Sequence, residues 1–254
     1  MKRSLPVELF FDIITSNLLT PFHIANTQKA LLPIKKNNSN SWEMISSNEI
    51  NAKGAVTRNT FREIYNTLKP NKGSIKTIFD LINTRGKLVQ QIINPNGYLV
   101  FTGAGGGKVC SAYISLAEYD TDKLILDQTV YWAQVSSEDE AIYLVGLLNS
   151  QAINEIIEDF QPRGAFGKRH VHKLPFGVTP PFDATQVAHQ EVVEKTRTLL
   201  QEFELLISTT PEVRSFLDPN SSSLSRRRMK IYERITNMIA YDEYEIACKA
   251  LYGV

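Results

Sequence analysis

The chain has few of the residues on which small-site chemistry usually depends. Its 254 residues include two cysteines and four histidines. Cys110 and Cys248 form no Cys-x-x-Cys or Cys/His ligand spacing, which excludes a zinc-ribbon pattern and a disulfide framework and fits a reducing cytosol. Long hydrophobic runs are missing too. No stretch approaches ~18 uninterrupted apolar residues, and Glu8 and Asp12 interrupt the run a signal peptide would need, so we expect a soluble cytoplasmic protein with no membrane contact. The chain also has little excess charge: Lys+Arg is 28 against Asp+Glu 27, a formal net of +1 that by itself points to no polyanionic partner.

The catalytic motifs that could be expected are also absent. Gly103-Ala-Gly-Gly-Gly-Lys108 lacks the spacing of a phosphate-binding loop, because Thr102 and Val109 occupy the positions that need glycine and Ser/Thr. A strand follows these glycines where a dinucleotide fold needs a helix, so the segment reads as a glycine hairpin whose bare backbone permits positive dihedrals. A functional variant of that hairpin, ending in Lys108, could approach a nucleic-acid backbone closely. No Asp-x-Lys or Glu-x-Lys pair of the metal-dependent nuclease type occurs, and no Gly-x-Ser-x-Gly elbow. His170 and His172 alternate on what reads as extended chain, point to opposite faces and have no nearby carboxylate, so we assign no metal site. His23 and His189 stand alone and read as structural. No residue is assigned as catalytic.

What is present is ordinary globular composition, 43% hydrophobic and 22% charged, enough to bury a core. Thr60 with Glu63, and Ser137 with Glu140, have capping-box spacing and predict helix starts. The second would open a helix of about five turns with an apolar face from Ile142 to Phe160. Val192, Val193, Thr196, Leu199 and Phe203 mark another helix from Val187 to Ile207. Segments Leu88–Ile93, Tyr98–Phe101, Val109–Leu116 and Leu124–Val135 read as successive antiparallel strands, and Trp42–Ile45 as a short one. Arg163–Pro181, with three prolines and three glycines, reads as a long loop, a kind of segment that is usually functional. Ser221-Ser222-Ser223 reads as a linker before one or two short helices. The fold class is α+β: an antiparallel or mixed sheet with packed helices and a C-terminal helical appendage.

Divided by segment, the charge becomes informative. Residues 51–90 carry eight cations (Lys53, Arg58, Arg62, Lys69, Lys72, Lys76, Arg85 and Lys87) against Glu63 and Asp80, a net of +6. Residues 160–182 carry Arg163, Lys168, Arg169 and Lys173 and no acid, and residues 118–159 have a net of −9. The basic segments are either a phosphate-tracking surface or a solvated face.

Four blocks occur in one order: Tyr98-Leu-Val-Phe-Thr-Gly-Ala-Gly-Gly-Gly-Lys108-Val-Cys-Ser-Ala, Ser136-Ser-Glu-Asp-Glu-Ala-Ile-Tyr143-Leu-Val-Gly-Leu-Leu-Asn149-Ser150, Phe160-Gln-Pro-Arg163-Gly-Ala-Phe-Gly167-Lys-Arg169-His-Val-His-Lys-Leu-Pro175, and Pro180-Pro-Phe-Asp183 ahead of His189. This order resembles the C-terminal target-recognition region of adenine-specific DNA methyltransferases from restriction-modification and phage-defence systems. The resemblance spans about Leu18 to Leu206 and implies a target-recognition-like domain over 1–208, followed by a linker and helical tail over 209–254. It implies a module that docks on double-stranded DNA while a separate methyltransferase catalytic domain or subunit binds S-adenosylmethionine and flips the adenine. The chain departs from the whole enzyme, since Asn94-Pro95-Asn96-Gly97 is its nearest approach to the Asp/Asn-Pro-Pro-aromatic motif. No cofactor is therefore expected in this chain, which would be a subunit of a split enzyme, a fragment or a relic. The alternatives are a fragment active only with its catalytic half in trans, or a protein-interaction adaptor using the acidic face between Glu138 and Asp159. On the leading reading, Arg163, Lys168, Arg169 and Lys173 would contact phosphate or guanine, with His170 and His172 as base-edge donors. Gly105, Gly106 and Lys108 would form a second contact, and Asn149-Ser150 a packing feature.

Overall fold

A computed structural model describes residues 4–39, 41–68, 77–83, 86–104, 107–160, 163–164, 167–168 and 174–253. The first part of the chain forms strands β1 (Phe10–Ile14), β2 (Leu19–Thr20), β3 (His23–Ile24), β4 (Gln28–Leu31), β5 (Ile34–Lys36) and β6 (Trp42–Met44). Helices α1 (Ser47–Ala52), α2 (Ala55–Leu68) and α3 (Ile78–Ile82) follow. Next come β7 (Tyr98–Gly103), β8 (Ser111–Ser115), β9 (Leu124–Leu126), β10 (Val130–Val135), α4 (Glu138–Asn149) and α5 (Gln151–Ile157). The last elements are β11 (Arg163–Gly164), β12 (Gly167–Lys168), α6 (Leu174–Val178), α7 (Val187–Thr209), α8 (Pro211–Leu217), α9 (Leu224–Ile235) and α10 (Tyr241–Tyr252). The expected α+β class holds. Two compact units share the chain: Met1–Ile14, Thr27–Asn94 and Asp120–Gln128 form the first, and Thr15–Asn26, Pro95–Tyr119 and Thr129–Val254 the second.

In the first unit β1 lies between β4 and β9, antiparallel to β4 with Phe10 opposite Leu31, and parallel to β9 with Asp12 opposite Leu124. The ring of Phe11 meets Trp42 edge-on at 5.6 Å, and Leu32, Ile34, Leu88 and Ile125 close the core around them. A second apolar cluster, Leu9, Ile45, Ile50, Phe61 and Ile78, sits under the helices. Two capping boxes start α1 and α3, Ser46 with Glu49 and Thr77 with Asp80.

The expected start at Thr60 is corrected. Helix α2 already runs from Ala55, just after Gly54 at φ +103°, and the Thr60 hydroxyl donates to the Val56 carbonyl at 2.9 Å, inside the helix. The expected strand Leu88–Ile93 does not form either. Asn83 Oδ1 accepts from the Leu88 N–H at 3.1 Å, while the Gln91 side chain donates to the Leu126 carbonyl at 2.6 Å and accepts from its N–H at 2.9 Å. Side-chain amides thus take the backbone partners that a further strand would have used. Segment Leu124–Val135 is two strands, β9 in the first unit and β10 in the second, parted at Asp127–Thr129.

In the second unit β7 is the centre of an antiparallel sheet, with Tyr98 opposite both Ser115 of β8 and Val135 of β10. The turn into β7 demands glycine: Gly97 has φ +91°, and a Cβ there would lie 2.3 Å from the Val135 carbonyl oxygen. Helix α7 follows its predicted stripe, burying Val192, Val193, Thr196, Leu199 and Phe203 against Tyr143, Leu147, Val213, Ile231 and Tyr244. Its start is braced by His189, whose Nδ1 accepts from the Asp183 N–H at 3.0 Å and whose ring stacks on Tyr143 at 5.0 Å.

The predicted five-turn helix is interrupted. Ser150 adopts an extended conformation (ψ 158°), ends α4 by donating to the Leu147 carbonyl at 2.8 Å, and caps α5 by accepting from the Ile153 N–H. Of the capping box at Ser137, one half is present, with the hydroxyl accepting from the Glu140 N–H. Segment Ser221–Ser223 turns into α9, with Ser223 as its cap. Among the described residues no helix is long and apolar enough to cross a membrane.

Candidate nucleic-acid interface

The glycine-rich segment joins two paired neighbours, β7 and β8, so it is a hairpin connection, as its composition suggests. The chain leaving it is fastened from behind by two helix amides. Asn154 Oδ1 accepts from the Val109 N–H at 2.8 Å. Asn149 Oδ1 accepts from the Ser111 N–H at 2.9 Å, and its Nδ2 donates to the Ser111 carbonyl at 2.8 Å. The Asn149-Ser150 pair therefore positions a strand and ends a helix.

Helix α9 lies in the same unit and carries Arg226, Arg227, Arg228, Lys230 and Arg234 against Glu233 alone. Its buried stripe is Arg227, Ile231 and Ile235, so an arginine occupies a core position at i, i+4, i+8 spacing. Arg227 is 0% exposed, and its Nη2 donates to the main-chain and side-chain oxygens of Asn17 at 2.6 and 2.7 Å. Its Nε and Nη1 have no hydrogen-bond partner among the described residues. Burial, with Arg228 beside it, pulls its pKa below the ordinary value, yet a guanidinium starts so high that it keeps its charge. Arg228 donates from Nε to the Leu19 carbonyl at 2.9 Å and from Nη2 to the Ser16 carbonyl at 3.0 Å.

These contacts correct the reason for one glycine. The φ of Gly103 is not positive; a Cβ at that position would come 2.8 Å from Arg228 Nη2, so the absence of a side chain admits a guanidinium. Burial also pushes the Cys110 thiol up to about 11 against the pull of Arg228 and Arg227, leaving a protonated Sγ 3.8 Å from the Leu19 carbonyl and no thiolate for nucleophilic chemistry.

Between the glycine turn and α9 opens a cleft of about 820 Å³, lined among others by Gly107, Lys108, Arg228, Met229, Tyr232 and Glu233. Lys108 Nζ sits 3.8 Å from the centre of the Tyr232 ring, a cation–π contact between two residues that line the cleft. Bare peptide at Gly107, two cations and an aromatic face suit a phosphate and a flat ring. Glu233, paired with Lys230 at 2.8 Å, is the one acidic lining residue among the described residues. Among the described residues no group of three or more His, Cys, Asp or Glu could hold a metal ion.

Of the residues singled out from sequence, Lys108 is in this cleft. Arg163 and Lys168 are cross-strand partners in the hairpin β11–β12, with Gly164 opposite Gly167. Gly105, Gly106, Arg169, His170, His172 and Lys173 lie outside the described residues, as does Arg85, while Lys87 is exposed. Sequence reasoning expected short helices from about Ser225, and α9 and α10 form there, but it missed that α9 brings Arg228 to the cleft. Its signal was the run Arg226-Arg227-Arg228, which the segment charges stopped short of.

No protein-family model matches the sequence, and no curated protein does. Chains of solved structures do match. One is from the Type IIL restriction-modification enzyme MmeI, solved in complex with DNA, with a TM-score of 0.55, 11% identity and 97% of this chain covered. The chain spans 28% of the length of that match. At this identity the likeness is one of fold: the chain folds like a segment of a restriction-modification enzyme.

Proposed function

We propose that the chain is a DNA-recognition module of the restriction-modification type, without catalysis of its own. It would act with an adenine-specific methyltransferase domain or subunit that binds S-adenosylmethionine. The observation that carries this reading is the cleft beside the glycine hairpin, where Lys108 and Arg228 flank bare backbone on a scaffold fixed by Asn149, Asn154 and buried Arg227. The fold likeness to part of a DNA-bound enzyme supports it. Arg163, Lys168, Arg169 and Lys173 would add phosphate or guanine contacts, and His170 and His172 base-edge donors.

The test is fluorescence anisotropy with a labelled mixed-sequence duplex over a salt titration. The parent should bind at low salt with log affinity falling linearly in log salt. Lys108→Ala, and Arg163→Ala, Lys168→Ala and Arg169→Ala combined, should each flatten the slope by roughly 0.9 per phosphate contact removed. A parent chain that binds no duplex at low salt overturns the reading; variants with the parent's slope overturn these contacts.

A further inference from the structure

Helix α2, in the first unit, presents an exposed polar face on the side away from the cluster it packs against. Thr57 and Phe61 are buried, and Ile64 and Tyr65 pack against the cluster of Leu9, Ile45, Ile50 and Ile78. On the other side Arg58, Asn59, Arg62 and Asn66 are all exposed. At about 100° per residue these four positions fall within an arc of about 100°, with Ala55 on the same arc and Glu63 about 40° beyond it. The N-terminal end of the face is therefore free of bulk.

Two features set this face apart. First, lysines of the same unit are neutralised: Lys29 by Asp12 at 2.8 Å, Lys53 by Glu8 at 2.6 Å, Lys35 by Glu49 at 2.5 Å, and Lys36 by Asp122. Arg58 and Arg62 meet no carboxylate among the described residues. Second, asparagine disfavours helix interiors because its amide competes for backbone groups, and it is favoured where it caps. Asn59 sits inside the helix and Asn66 in its last turn, and neither side chain makes a hydrogen bond among the described residues. No side-chain contact among the described residues accounts for them.

Arginine and asparagine are among the side chains whose polar atoms pair with guanine and adenine edges in the major groove, which an α-helix fits. Arginine alone would also serve phosphate, but the uncharged asparagine amides interleaved with it add the donor and acceptor pair that matches an adenine edge. We propose that α2 enters the major groove of duplex DNA and reads bases with Arg58, Asn59, Arg62 and Asn66. This rests on the DNA-recognition reading above and adds to it a second, base-reading element remote in sequence from the glycine hairpin.

The experiment is selection from a duplex with a randomised core, comparing the parent chain with Arg58→Lys, Arg62→Lys, Asn59→Ala and Asn66→Ala. The lysine variants keep the charge and the alanine variants favour the helix, so the fold, checked by circular dichroism, should persist. We expect the parent to enrich a defined sequence. Each variant should relax preference at one or two positions by about tenfold, while the lysine variants keep the parent's salt slope. Variants that enrich the parent's sequence overturn the proposal and leave the face to another partner. A parent that binds duplex without preference overturns it while duplex binding itself stands, and a parent that binds no duplex overturns both readings.

Discussion

The two units handle positive charge in opposite ways. In the first, Lys29, Lys35, Lys36 and Lys53 reach across the surface to carboxylates, their side chains between 22% and 67% exposed. In the second, surface pairs also occur, such as Lys195 with Glu243, but Arg227 is sunk completely and Arg228 half-buried, both held on uncharged oxygens of Ser16, Asn17 and Leu19. Exposed pairs contribute about 0–1 kcal/mol and are screened by salt. A buried cation is conditional: its desolvation must be offset by well-placed acceptors, and any it lacks are costly. The guanidinium suits that task, because its planar fork lets one nitrogen meet two oxygens of Asn17 while the stem fills core space. Paired cations therefore stay at the surface among the described residues of the first unit, whereas the second unit also takes a cation into its core, on the helix that lines the cleft we assign to DNA.

The sharpest way to break this contrast is Arg227→Ala. It removes two charge-assisted hydrogen bonds, strands the Asn17 oxygens and opens a cavity under α9, and should cost about 3–5 kcal/mol. That is a large share of a typical domain's stability of about 5–15 kcal/mol. Urea unfolding should show the midpoint drop. Arg227→Met should recover part of the loss, since it fills similar volume and carries no equivalent of the orphaned Nε and Nη1. An alanine variant within about 1 kcal/mol of the parent would show that the buried arginine is no more structural than a surface lysine.

How far this was legible in the sequence follows from what each element depends on. Helix α7 and the β7–β8 hairpin follow from periodicity and turn residues alone, and both formed as read. Leu88–Ile93 misled because its β-rich composition was overridden by side-chain hydrogen bonds, Asn83 Oδ1 accepting from the Leu88 N–H and Gln91 reaching the Leu126 backbone, which composition does not mark. The strand expected over Leu124–Val135 hid a crossing between units, which no local pattern marks. Arg227 was the hardest to see. A triple arginine on an amphipathic helix reads as solvent-facing, and its burial depends on carbonyls some 210 positions away. Lys108 could be picked out because it ends the glycine turn; Arg228 could not, because its link to Gly103 is a tertiary approach.

That approach provides the intermediate test. Gly103→Ala places a methyl 2.8 Å from Arg228 Nη2 and forces the guanidinium off the Ser16 and Leu19 carbonyls, or forces β7 to give way. Overpacking of this kind costs about 1–3 kcal/mol, less than deleting Arg227 because an arginine tip can partly retreat. Thermal unfolding would measure the loss, and duplex affinity should fall with it if Arg228 faces the phosphate. A neutral Gly103→Ala would mean that Arg228 is loosely held, and that the second unit's buried charge ends at Arg227.

Lys29→Ala should have the smallest effect. Lys29 Nζ is bonded to Asp12 Oδ2 at 2.8 Å, but its side chain is 67% exposed, and Asp12 Oδ1 keeps the Thr27 hydroxyl at 2.9 Å when the lysine is gone. Losing the partner therefore strands no buried charge, and the cost should stay under about 1 kcal/mol. It should also shrink toward zero near 1 M salt, where the screening length falls to about 3 Å. Urea midpoints of parent and variant at low and high salt decide it. A loss above about 2 kcal/mol, or one that salt leaves unchanged, would mean that the first unit also builds its fold on a cation. The two units would then differ only in which side chain they use.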